Sequence, residues 1–190
     1  MSNVPSSPRE FFEQYLPGWF SSAGPVQATS PGALVFHVGA ECYALRLDEG
    51  KLQVSSELPL DAILKVSLSP ADFAELVGQG ASLFDTGSSD RMFALRSLNL
   101  DPERAKLLRN VDGSVAFEIT EGDLTRMLLL SPGATVAGAN PPACTVKLAA
   151  ADFWALTRAE KNPFELLMDG KIRVQGRMEV AMALSSGLLG

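Results

Sequence analysis

Residues Asn162–Leu184 read NPFELLMDGKIRVQGRMEVAMAL, and this run decides the reading of the chain. Asn162 before Pro163, with Glu165 three residues on, is a helix start: a side-chain cap, a proline at the first helical position and an early acid. Phe164, Leu167 and Met168 then follow at i, i+3 and i+4, and Asp169-Gly170 ends the turn. Lys171 to Arg177 alternates like an exposed strand, with Ile172 and Val174 facing inward. Met178 to Leu184 is apolar on nearly every face, Glu179 excepted. A helix of that composition must be buried or must meet something apolar.

Working outward, the same grammar recurs. Ser7-Pro8-Arg9-Glu10, Ser69-Pro70-Ala71-Asp72 and Asp101-Pro102 each announce a helix start. The first helix carries Phe11, Phe12, Tyr15 and Leu16, and Pro17-Gly18 is expected to stop it. Ser21 to Gly32 is a loop by composition. Strands are expected over 33–38, 43–47, 51–55 and 63–68, with Asp48-Glu49-Gly50 as a turn.

The pattern then repeats. Ala33 to Val38 matches Ser114 to Ile119, Val66 and Leu68 match Val146 and Leu148, and Leu76 matches Leu156. Ala71-Asp72-Phe73 and Ala151-Asp152-Phe153 are identical, and Gly50 and Gly133 close corresponding turns. A duplication with a period of about 80 residues fits, giving one unit over 1–110 and a second over 111–190.

Composition bounds the function. The chain has 190 residues, 46% hydrophobic and 20% charged, with a net charge of −6. Residues 1–110 carry 9 basic against 13 acidic side chains and residues 111–190 carry 7 against 9, so neither half is a basic module for nucleic acid. One histidine and two cysteines exclude a multi-histidine metal centre or a disulfide scaffold within the chain. No apolar run approaches a membrane span, and MSNVPSSPRE lacks the order of a signal peptide, so a soluble cytoplasmic protein is expected.

The stretch 162–184, the Ala-Asp-Phe helix at 151–153, PREFFEQYLPGWF at 8–20 and LVFHVGAECYALRLDEGKLQV at 34–54 together resemble the sterol carrier protein (nonspecific lipid-transfer) family. The resemblance implies an α+β fold: a mostly antiparallel sheet with helices packed on one face, here in two tandem copies. It also implies an apolar tunnel between sheet and helices that takes acyl chains or sterols, without enzymatic chemistry or cofactor. Burying an acyl chain stabilises by about 0.8 kcal/mol per CH₂, and methionine repacks around varied shapes. The residues expected against such a ligand are Phe153, Leu156, Phe164, Leu167, Met168, Ile172, Val174, Met178, Met182 and Leu184, with the cavity concentrated in the second copy. The terminal helix, 178–188, would move or fray to admit the ligand. Membrane contact would be transient at most, given the negative charge. The other class of reading is a structural or interaction module without a cavity.

Several residues invite sharper readings. Phe84-Asp85-Thr86-Gly87-Ser88-Ser89 looks like an aspartic-protease segment; a two-lobed enzyme needs a second such aspartate, which the chain lacks, and a homodimeric protease, needing only one, is the remote alternative to a helix stop and turn. His37 has no catalytic partner signature and reads as a surface or edge-strand histidine. Cys42 and Cys144 read as small buried hydrophobes, Trp19 and Trp154 as packing anchors. Arg158 and Lys161 read as a solvated helix end, or as guides for a lipid carboxylate.

Overall fold

The computed structural model describes residues 4–22, 30–79, 100–133, 135, 141–158 and 160–189. A helical stretch opens the chain: α1 (Pro8–Glu10), a π-helical segment (Phe11–Tyr15) and α2 (Leu16–Ser22). Next come β1 (Ala33–Val38), β2 (Glu41–Asp48), β3 (Lys51–Ser55), β4 (Ala62–Leu68) and α3 (Pro70–Gln79). Then α4 (Pro102–Arg109) leads into β5 (Val115–Glu121), β6 (Leu124–Pro132) and β7 (Cys144–Ala149). The chain ends with α5 (Ala150–Thr157), α6 (Pro163–Met168), β8 (Arg173–Gly176) and α7 (Met178–Leu189).

The caps act much as the sequence implies. Asp101 accepts the backbone N–H of Arg104 at 2.9 Å, Asn162 that of Phe164 at 2.8 Å, and the Ser69 hydroxyl that of Asp72 at 3.0 Å. Ser7 makes no side-chain cap; its carbonyl accepts the N–H of Phe11 instead. Pro17 and Gly18 do not stop the first helix. The π segment shifts the bonding so that Leu16 N–H reaches Phe11 O, and Pro17 falls in the first turn of the next α segment, where a missing N–H is tolerated.

All eight described strands join one sheet in the order β3-β2-β1-β4-β6-β5-β7-β8. Its pairings are mostly antiparallel; β1 with β4 and β5 with β7 are parallel. Read from β3, the sequence of pairings is antiparallel, antiparallel, parallel, antiparallel, and the same sequence recurs from β4 to β8. Registers correspond as well: Phe36 lies opposite Val66 and Val38 opposite Leu68, as Phe117 does Val146 and Ile119 does Leu148. Gly50 and Gly133 differ in use. Gly50 completes a two-residue hairpin with Glu49, both at positive φ, whereas Gly133 follows β6 on the way to β7.

The seam is the β4–β6 pairing, where Lys65 faces Ser131 and Val66 faces Leu130. Five consecutive residues of β4, Ala62–Val66, are buried, so it needs a partner on both sides. The outer strands β3 and β8 show the alternating exposure expected of edges. Gly133 N–H extends the seam to Ile63 O at 2.8 Å, and the Lys65 ammonium donates to the carbonyls of Gly133 and Thr135 at 2.9 and 3.0 Å. Across it, α4 anchors the Arg109 guanidinium on the carbonyls of Pro31 and Asp61.

Every described helix from the π segment onward adds side chains to one apolar cluster on one face of the sheet, from Phe12 and Phe73 through Leu108 and Leu166 to Val180 and Leu184. The opposite face holds, among the described residues, a small strand cluster of Ala33, Val35, Ala44 and Ala62. His37 lies on that second face, and not at an edge: β1 sits between β2 and β4. Burial, and secondarily the Lys65 ammonium, holds its imidazole below the usual histidine range. The folded protein therefore resists protonation that the unfolded chain accepts. Stability is full above about pH 6.5 and falls as the pH drops below it. Denaturant titrations between pH 7 and 5 should show this loss, and His37→Gln should flatten it.

Gly133 sits at φ +51°, and a Cβ there would strike the Arg109 backbone; Gly122 has a similar φ of +58° with open space around it. Gly122→Ala should cost about 1 kcal/mol of left-handed strain, and Gly133→Ala at least about 3 kcal/mol, as read by chemical denaturation.

Candidate functional site

Between the sheet and its helices lies an apolar cavity of about 460 Å³. Its floor is the sheet's helix-bearing face: Phe36 and Val66 on one side of the seam, Leu128, Phe117, Val146 and Val174 on the other. The roof comes from Phe11, Phe12 and Leu16 of the opening helix, Phe73, Leu76 and Val77 of α3, and side chains of α5, α6 and α7. A volume in the range of roughly 300–1,000 Å³ is that of ordinary small-molecule pockets.

Nine of the ten residues singled out from the sequence line this space: Phe153, Leu156, Phe164, Leu167, Ile172, Val174, Met178, Met182 and Leu184. Met168 does not. It is 87% exposed, because the short α6 turns Leu166 into the core and Phe164 and Leu167 toward the cavity, leaving its last residue outward. The lining draws more heavily on residues 111–190 but is not confined to them. Phe11, Phe12, Leu16, Phe36, Val66, Leu68, Phe73, Leu76 and Val77 come from the first 110 residues. Their signal was present as apolar residues at helical and strand spacing, but the strand pairing at the seam brings them to the same space.

The aromatic packing differs along the chamber. At the N-terminal end Phe12 stacks on Tyr43 at 4.6 Å between ring centres, lies 4.9 Å from Phe36 and 5.5 Å from Phe73. At the other end Phe117 and Phe153 stand 6.4 Å apart, and Phe153 lies edge-on to Trp154 at 5.2 Å.

The lining is almost wholly apolar. Among its described residues none is charged, and the hydroxyls are those of Thr157, which donates to the Trp154 carbonyl at 2.9 Å, and Ser185. Burial pushes both thiols, Cys42 and Cys144, above their ordinary range, away from the reactive thiolate, and both are free. No group of three metal-ligating side chains occurs among the described residues, and no described helix is long and apolar enough to cross a membrane. The Asp85-Thr86-Gly87 segment lies outside the described residues. Arg158 is paired with Glu160 and Lys161 with Asp152, at 2.7 and 2.8 Å.

A polar clasp spans the chamber between its halves. Trp154, a lining residue on α5, donates its indole N–H to Gln79 Oε1 of α3 at 3.0 Å, and Gln79 Nε2 donates to Glu121 at 2.8 Å. Arg126 on β6, its side chain only 6% exposed, pairs with Glu121 and Glu75 at 3.0 and 3.3 Å. Hydrogen bonds from Gln79 and then Arg126 hold the Glu121 carboxyl below its usual range. Sequence reading missed this clasp, since its members are scattered polar residues on four elements. Gln79→Ala should release the Trp154 ring and red-shift its emission in a Trp19→Phe background.

A search of curated proteins gives no significant match. Among solved structures the chain is similar to the palmitated SCP2L2 of Aedes aegypti (19% identity, 53% of this chain and 90% of that one, TM-score 0.40). It is similar also to sterol carrier protein 2 of Yarrowia lipolytica in its apo form (16%, 46% and 78%, TM-score 0.36). A third is the sterol carrier protein domain 2 of Helicoverpa armigera (25%, 42% and 68%, TM-score 0.34). The SCP-2 sterol transfer family model matches residues 94–188, half of the sequence, from α4 through α7. With that match, the chain belongs to the SCP-2 sterol transfer family.

Proposed function

We propose that this protein binds a hydrophobic ligand, a fatty acyl chain or a sterol-like lipid, in the chamber under its helices and carries it without chemical change. The observation that carries the reading is the cavity itself: about 460 Å³ lined by apolar side chains, in a chain of the SCP-2 sterol transfer family. An acyl chain entering it gains about 0.8 kcal/mol per CH₂ removed from water, so affinity needs no polar anchor. Discrimination between chain lengths is then weak, because an apolar wall distinguishes one methylene by only about 1–3 kcal/mol. The ligand lies against Phe153, Leu156, Phe164, Leu167, Ile172, Val174, Met178, Met182 and Leu184, and enters by displacement of α7, whose Met178 and Met182 are partly exposed.

The chain is, on this reading, two sterol-carrier-like halves, 1–110 and 111–190, descended from one unit. The recurring order of strand pairings and the matched registers of Phe36 and Phe117 support it. A single ligand occupies a chamber to which both halves contribute.

Displacement of a fluorescent fatty acid should give micromolar or tighter affinity with one site per chain. Leu128→Trp, projecting from the middle of the floor, should abolish uptake yet leave the melting temperature unchanged or raised. Loss of about 1–3 kcal/mol of stability in that variant, with no uptake by the wild type, marks a packed core and a purely structural module instead.

A further inference from the structure

We infer that the chamber selects lipids that end in a single uncharged oxygen, a hydroxyl or an ester carbonyl, and that Ser185 of α7 receives that oxygen. The inference rests on the ligand-carrying reading above and names the class of head group that goes with it.

On α7, Met178, Ala181, Met182 and Ser185 all line the chamber. They stand at i, i+3, i+4 and i+7, one stripe of the helix, while Val180 and Leu188 are buried in the core. Ser185 is the polar member of that stripe, about 10 Å along the helix from Met178. A serine inside a helix ordinarily returns its hydroxyl to the carbonyl four residues back. The Ser185 hydroxyl instead makes no hydrogen bond among the described residues. Unlike the sealed hydroxyls of Ser67 and Ser131, its oxygen is open to the space beside it. The other side-chain donors of the described lining are already committed. The Thr157 hydroxyl donates to the Trp154 carbonyl at 2.9 Å, and the Trp154 indole N–H to Gln79 at 3.0 Å.

An ionised head finds no counter-charge here. Lys65, Lys147 and Arg173 adjoin the lining residues Val66, Val146 and Val174, and strand alternation sends them to the opposite face of the sheet. Arg158, Lys171 and Arg177 adjoin Thr157, Ile172 and Met178, and each is paired with a carboxylate, at 2.7, 3.5 and 2.8 Å. At the clasp, Arg126 faces two acids, Glu75 and Glu121. A carboxylate drawn inside would exchange its hydration for one hydroxyl donor, which costs far more than burying an alcohol. An uncharged oxygen needs one partner. Ser185 can donate to an ester carbonyl, and can donate to or accept from an alcohol. The chain supplies most of the affinity, and Ser185 sets which head group is held.

The test is displacement of a bound fluorescent fatty acid from the full chain at about pH 8, where carboxylates are ionised, by decanol, decanoate and 1-chlorodecane. Decanol should act at a concentration at least about fivefold below that of decanoate. Ser185→Ala should raise the concentration of decanol required by about fivefold or more and move that of 1-chlorodecane by less than about twofold. Its melting temperature should be unchanged or raised, alanine being the better helix former. Ser185→Thr keeps the hydroxyl and should keep the wild-type order of the three ligands. Equal losses for decanol and 1-chlorodecane in Ser185→Ala, or no loss for either, overturn the assignment of Ser185. Decanoate as effective as decanol overturns the head-group selection. In each of those outcomes the carrier reading stands. A wild type that takes up neither the probe nor any of the three ligands defeats the carrier reading and this inference together.

Discussion

The pairing of β4 with β6 is the constraint on which the rest depends. β4 is buried along most of its length and carries Lys65, whose ammonium is 2.9–3.0 Å from two carbonyls just beyond β6. Left as an edge, β4 would expose a row of unpaired backbone groups and strand that amine. Joined to β6 it turns two short sheets into one continuous floor, and the two sets of helices then roof a single space. Without the seam, neither the phenylalanines of the opening helix nor Phe73 of α3 would face the methionines of α7.

The two ends of that space are filled differently. Phe11, Phe12, Tyr43 and Phe73 close the N-terminal end with tightly packed rings. The C-terminal end has Phe117 and Phe153 6.4 Å apart and a roof that includes the six-residue α6. The clasp from Arg126 through Glu121 and Gln79 to Trp154 holds the two roofs at a fixed distance while leaving the lining itself apolar.

Local signals in the sequence were reliable where the physics is local. Strands 33–38 and 51–55 have the expected bounds, three of four proline-flanked caps bond as their residue types require, and the apolar run from Met178 is a helix. Non-local facts were not legible. Which edge β4 would use depends on a strand 60 residues away, and no periodicity encodes that. Pro17 misled because a preceding π turn moved it to a helix start. Met168 misled because periodicity marks an apolar face without distinguishing a cavity from solvent. Of the two placements expected for His37, surface or edge strand, the edge is excluded by the strand order, which no local signal carries.

The central claim is that one chamber is built from both halves. Isotope-edited nuclear Overhauser spectra of the protein with a bound labelled fatty acid test it directly. The account predicts contacts from a single bound ligand to the Phe73 ring of the N-terminal half and to the Met182 methyl of α7. Contacts confined to α5, α6 and α7, with the Phe73 ring untouched, would contradict it.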